Sequence, residues 1–267
     1  ARAGVCDILL AYNLVGPNIP RAVRLLQAYP SVRLAVTADH AQPAAALGEA
    51  MHRARLSVDV LLDIDTGMHR TGMAIGPEAM ALYQQIARTP GLRPGGLHVY
   101  DGQNQQTAVA ERAAAVHTAW ERVVPFRDEL VAAGWPVPRI VAGGTGTFPV
   151  YAAIDDPTLE LSPGTTVFYD AGYTSAFPDL PFQIAAVLLT RVISRPGPDR
   201  LTVDLGYKAC ASDPPAGKRL VFPDLPDAEQ VLQNEEHLVL QTPDADRFQP
   251  GDQLIAIPWH ICPTTAL

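Results

Sequence analysis

Apolar residues follow two patterns along this chain, and the pattern changes at one place. Through the first two-thirds, short continuous runs rich in Val, Ile and Leu recur at residues 5–13, 33–39, 58–65, 95–100, 139–142 and 159–161. Between most of them lie Ala-, Leu- and Arg-rich stretches with helical periodicity, such as 108–134 with Trp120, Val124 and Leu130. Continuous apolar strands separated by helices predict a parallel sheet covered on both faces. Six strand-plus-crossover units can be counted. A closed (β/α)₈ barrel needs eight, whereas an open doubly wound sheet can use six, so the count leaves both architectures open.

After Pro163-Gly164 the texture changes. The segments "TTVFYDAGY", "QIAAVLLTRVIS", "RLTVDLGY", "HLVLQT" and "DQLIAIPWH" read as strands, separated by Pro, Gly and Asp turns with little helix between them. The expectation is an α/β domain over residues 1–164 followed by a mostly antiparallel β domain over 165–267.

Composition narrows the class. With 48% hydrophobic residues among 267, the chain can bury a sizeable core. A formal charge of -8 argues against nucleic acid or an anionic membrane as partner. No apolar run approaches the roughly 20 residues needed to span a bilayer. The start, "ARAGVCDILL", has no secretory-signal pattern and no initiator Met, which suggests that Ala1 is not the first residue of the gene product. Cys6, Cys210 and Cys262 are odd in number and far apart, which points to a cytoplasmic protein rather than a disulfide framework. The lysines are Lys208 and Lys218 alone, so any lysine chemistry within this sequence rests on one of them.

Five stretches carry candidate chemistry. At the end, "PWHICPT" puts His260 and Cys262 two residues apart. If residues 255–262 are extended, both side chains point to one face, and the pair suits Zn²⁺ or a similar ion with coordination positions left open. Taken alone, a half-buried His beside a core Cys explains it more simply. "RIVAGGTGTF" runs from a strand into Gly143, Gly144, Thr145, Gly146 and Thr147, where amides and hydroxyls can converge on an anion, or where the chain merely makes a tight turn. In "DIDTGMHRTGM", Asp63 and Asp65 either bind a metal or cap a turn with Arg70 as ion-pair partner, and the spacing favours the turn. "GGLHVYDG" sets His98 and Tyr100 on one face at a strand end, and Lys208 in "DLGYKACASD" reads as solvated.

Together with "LSPGTTVFYDAGY", and in their order along the chain, these motifs resemble the fold-type III pyridoxal phosphate enzymes, in particular the D-threonine aldolase and D-serine dehydratase group. The resemblance spans nearly the whole chain. It implies an alanine racemase-like (β/α)₈ barrel followed by a β domain, with the six strands corresponding to the family's third to eighth. The family's first strand carries the Schiff-base lysine. No catalytic lysine of this chain matches it, since Lys208 and Lys218 both fall in the expected β domain, so the lysine is expected upstream of Ala1. The competing explanation is a truncated relative that has lost the chemistry.

The resemblance further implies that Arg70 hydrogen-bonds the cofactor's phenolic oxygen and Tyr100 lies against its pyridine ring. Gly143, Gly144, Thr145, Gly146 and Thr147 receive its phosphate, and His260 and Cys262 hold a divalent metal. Zinc is the first expectation, with manganese or magnesium as alternatives. The implied activity is a metal-dependent lyase acting on D-3-hydroxy amino acids, by α,β-elimination or by a retro-aldol reaction. Cys262 leans toward the dehydratases, because aldolases of this group have Asp there. A racemase of the same fold and a non-catalytic pyridoxal phosphate-binding protein are the alternatives. A homodimer is expected, with "DLGYKACASD", including Asp213, near a site.

Overall fold

The computed structural model describes residues 1–266 and divides the chain into two compact units, Ala1–Pro163 and Gly164–Leu267. The first unit alternates strand and helix: β1 (Asp7–Asn13), α1 (Asn18–Ala28), β2 (Arg33–Ala38), α2 (Ala41–Arg53), β3 (Val58–Asp63), α3 (Pro77–Arg88), β4 (Leu92–Val99), α4 (Val109–Ala132), β5 (Ile140–Ala142), α5 (Phe148–Tyr151) and β6 (Leu159–Leu161). All the strand pairs are parallel and the spatial order is β1-β2-β3-β4-β5-β6. A doubly wound sheet reverses its strand order at a switch point. This sheet never reverses, so the topology itself selects the barrel-type winding that the strand count left open.

The sequence dictates these elements through burial. In β2 and β3 nearly every side chain is buried, as expected for strands covered on both faces. The helices each bury one stripe: Ile19, Ala22 and Leu26 on α1, and Ala79, Leu82, Tyr83 and Ile86 on α3. Fully buried Leu61 and Leu62 at the centre of β3 are each worth about 1.5–3 kcal/mol of transfer free energy. The predicted helix over 108–134 is α4, which accommodates Pro125 in its interior.

The second unit contains α6 (Ala171–Ala176), β7 (Leu188–Gly197), β8 (Arg200–Val203), β9 (Leu220–Val221), β10 (Glu229–Gln233), β11 (Leu238–Gln241), β12 (Gln253–Pro258) and α7 (Ile261–Thr264). Its sheet has the order β10-β11-β8-β7-β12-β9, with antiparallel pairing throughout. Val192, Leu201, Val203, Leu238, Leu240 and Leu254 form its core.

Two expectations fail locally. "TTVFYDAGY" is not a strand but a 3₁₀ turn over Thr165–Val167 followed by α6. Tyr169 takes a left-handed φ of 55°, and Asp170 caps α6 by accepting from the Tyr173 amide at 2.8 Å, so the extended path ends there. The second failure is at residues 255–262, where β12 stops at Pro258 and Cys262 lies in the single turn of α7. His260 is still extended, with φ -133°, but the period-two argument does not reach Cys262.

Candidate functional site

In the first unit, the C-terminal ends of the strands gather the candidate residues. Asp63 and His98 are register partners across β3 and β4, and Oδ1 of Asp63 lies 2.7 Å from Nδ1 of His98 with both side chains buried. Just past β3, Asp65 organises a loop. Its Oδ1 accepts the amides of Gly67 at 2.9 Å and His69 at 3.0 Å, and its Oδ2 meets His69 Nδ1 at 2.7 Å. Burial pushes the Asp65 carboxyl up, but these hydrogen bonds outweigh it and leave the group below its usual range. The loop needs left-handed backbone at His69 and Gly72, and a Cβ at Gly72 would come within 2.8 Å of the Asp65 nitrogen.

That loop carries Arg70 to Tyr100. The guanidinium carbon stands 4.8 Å from the Tyr100 ring centroid, within cation–π range. The same ring adjoins the glycine–threonine turn, since a Cβ built on Gly144 would lie 3.4 Å from Tyr100 Cε2. Tyr100 therefore neighbours both Arg70 and Gly144, and Asp63, Met68 and Thr71 line the pocket beside Arg70 and Tyr100.

The turn reading of Asp63 and Asp65 holds for Asp65 and fails for Arg70. Among the described residues Arg70 makes no ion pair with either aspartate, because Asp65 is occupied by His69 and Asp63 by His98. The same commitments remove the two as a metal pair. Lys208 is exposed and bridges Glu235 and Glu236 at 2.6 and 2.9 Å, as a solvated lysine does.

The glycine–threonine turn follows β5 directly, with Gly143 at φ 82°. Thr145 and Thr147 are buried. Several of its donors are already engaged: Asp101, itself buried, accepts from the Gly144 amide at 3.0 Å and from the Thr147 hydroxyl at 2.8 Å, and the Thr147 amide donates to the Gly144 carbonyl at 3.1 Å. Sequence reasoning missed Asp101. Its only signal was its place immediately after Tyr100 at a strand end, where barrel folds put site residues.

In the second unit, His260 and Cys262 flank Ile261, whose amide donates to Oδ2 of Asp170 at 2.9 Å. The backbone between the two candidate ligands is thereby tied to the cap of α6. His260 Nδ1 meets Asp213 Oδ2 at 2.5 Å. The ring is 36% exposed, and the exposed Cys262 sulfur lies 3.3 Å from Thr165 Oγ1. An imidazole held by a carboxylate through one nitrogen is the usual support for a metal-binding His. The donor set of one imidazole and one thiol thus fits a borderline divalent ion. Among the described residues no three His, Cys, Asp or Glu side chains group to hold a metal, so this couple gives two donors only.

Comparison with known proteins gives the family and the fold. Residues 13–171 match the alanine racemase N-terminal domain family, and residues 185–267 match the putative serine dehydratase domain. The chain is 31% identical over 266 residues to the D-threonine aldolase of an Arthrobacter species, covering 98% of this chain and 69% of that protein. The crystal structure of D-threonine aldolase from Filomicrobium marinum matches with a TM-score of 0.88 and 28% identity, over 98% of this chain and 70% of that one. D-threo-3-hydroxyaspartate dehydratase from Delftia sp. HT23 matches with a TM-score of 0.77 and 25% identity, over 99% and 75%. Among solved structures bearing that dehydratase's name, one replaces a histidine with alanine, and another replaces a cysteine two positions further on and is in the metal-free form. The chain belongs to the alanine racemase-like barrel family, in the group that includes D-threonine aldolase.

Proposed function

We propose that this protein is a pyridoxal phosphate- and divalent metal-dependent lyase acting on D-3-hydroxy amino acids. The observation that carries the reading is the place of Tyr100 between Arg70 and Gly144, because it brings a cation, an aromatic ring and a donor-rich turn next to one another. When bound, pyridoxal phosphate supplies an electron sink and the metal a Lewis acid. This chain's residues bind and orient. Arg70 donates a fork of hydrogen bonds to the cofactor's phenolic oxygen, and Tyr100 packs against its ring. The turn from Gly143 to Thr147 receives its phosphate, with the Gly146 amide lacking any other partner among the described residues. His260 and Cys262 hold the metal, with zinc expected ahead of manganese or magnesium.

The aldolase and dehydratase outcomes are separated by product. Cys262 favours the dehydratase, supported by the paired histidine and cysteine variants of the dehydratase above. The test is to load the full-length protein with pyridoxal phosphate and either Zn²⁺ or Mn²⁺ and supply D-serine, D-threonine and D-threo-3-hydroxyaspartate. Release of ammonia and an oxo acid supports elimination, and glycine with an aldehyde or glyoxylate supports cleavage. Turnover of alanine enantiomers without metal dependence would point to the racemase instead.

The protein is expected to be a homodimer. Exposed Val187, Leu189 and Ile193 near and along β7 support a covered sheet face, and light scattering gives the mass. The unpaired Cys6, Cys210 and Cys262 support a reducing, cytoplasmic setting. No helix among the described residues is long and apolar enough to cross a membrane.

A further inference from the structure

The loop after β4 holds a carboxylate to which the functional reading above gives no task. Asp101 is 1% exposed. Its Oδ1 accepts the Gly144 amide and the Thr147 hydroxyl, at 3.0 and 2.8 Å. Its Oδ2 accepts the Asn104 side-chain amide at 3.2 Å, and the Asn104 backbone amide bonds the Asp101 carbonyl at 3.0 Å. A carboxylate this buried is costly unless donors satisfy both of its oxygens, and three donors do so here. Two are donors that a phosphate would otherwise take. A dianion seated on them would also stand directly against the carboxylate's charge.

The turn cannot relax away from Asp101 on its other side. A Cβ on Gly143 would lie 3.1 Å from both Tyr151 Cδ2 and Phe148 Cα, so the backbone there is packed against α5. The turn is held on one side by Asp101 and on the other by Tyr151 and Phe148.

We infer that Asp101 is the positioning residue of this turn: it holds Gly144 and Thr147 from behind, so that an anion is received at the Gly146 amide and not by the Gly144 amide or the Thr147 hydroxyl. The inference rests on the reading of the turn as the cofactor's phosphate site. It assigns Asp101 no contact with the cofactor.

The experiment compares equilibrium binding of pyridoxal 5'-phosphate and of pyridoxal to the full-length apoprotein, followed by absorbance, in wild type, Asp101→Ala and Asp101→Asn. Their affinity ratio isolates the phosphate, because the rest of the ligand is common to both. Wild type is expected to favour the phosphate ester by about tenfold or more. Asp101→Ala is expected to bring the ratio close to one while pyridoxal affinity stays within about twofold. Asp101→Asn keeps an oxygen that can accept both bonds and is expected to preserve the ratio. An alanine variant with the wild-type ratio, or an asparagine variant that loses as much as alanine, overturns the inference. Wild type with no preference for the phosphate ester overturns the assignment of the turn, and the inference with it. Circular dichroism checks folding, and Asp101→Ser, too short to reach both donors, makes the same comparison if the alanine variant does not fold.

Discussion

Oδ2 of Asp213 lies 2.5 Å from Nδ1 of His260 across 47 residues of sequence. The contact commits one ring nitrogen and leaves Nε2 as the nitrogen for a metal. Asp213→Asn and Asp213→Ala are expected to weaken metal binding by about 10- to 100-fold, and Cys262→Ala to weaken it further. Calorimetric titration with Zn²⁺ measures both. Unchanged affinity in all three variants would remove the couple as a metal site.

Arg70 is exposed and its guanidinium carbon stands over the Tyr100 ring. Arg70→Lys keeps the charge but loses the fork. The expected result is a rise in the dissociation constant of pyridoxal phosphate of about tenfold or more, from the loss of roughly 1.5–3 kcal/mol in charged hydrogen bonds. Fluorescence quenching on addition of the cofactor measures it, and an unchanged constant would show that Arg70 does not touch the ligand.

Asp65 gives a pH dependence of defined sign. Its folded pKa lies below the ordinary value of 3.8, so the folded form binds its proton less tightly than the unfolded chain does. Its stabilising contribution is therefore fully present above about pH 4 and is lost as pH falls through the depressed value. Asp65→Asn should show a smaller drop in thermal stability than wild type between pH 5 and pH 3 (about one pH unit on either side of the ordinary value). Parallel melting curves would contradict this.

The first strand leaves apolar side chains uncovered. Leu10 and Tyr12 of β1 are 45% and 60% exposed, and β1 lies at the edge of its sheet. An edge of this kind templates association. The 267-residue chain expressed alone is expected to bind a hydrophobic dye and to self-associate, and Leu10→Lys with Tyr12→Lys to reduce both. A dye-silent monomer would count against this.

β2 and β3 were legible because both are buried nearly throughout and so read as near-continuous apolar runs, a local signal that few other elements produce. β10 was not, because "EQVLQ" is half polar and lies at a sheet edge. The strand reading of "TTVFYDAGY" failed because its β-branched and aromatic residues outweighed Asp170, whose capping role depends on a helix that had not been recognised. In the candidate site, the sequence displayed each chemical group but not its partner. His98 and Tyr100 were seen as a pair on one face, whereas His98 is bound to Asp63 and Tyr100 lies under Arg70. The contacts of Asp101 with Gly144 and of Asp213 with His260 join residues far apart in sequence, and no local periodicity encodes them.

The anchoring of Ile261 by Asp170 bears on how this site can diversify. The hold is on a main-chain amide, so it does not itself depend on the side chains at 260 and 262. Libraries randomised at those two positions should therefore yield mostly folded proteins with altered ion preference. Replacing the single carboxyl at 170 should instead disrupt the segment whatever ligands it carries.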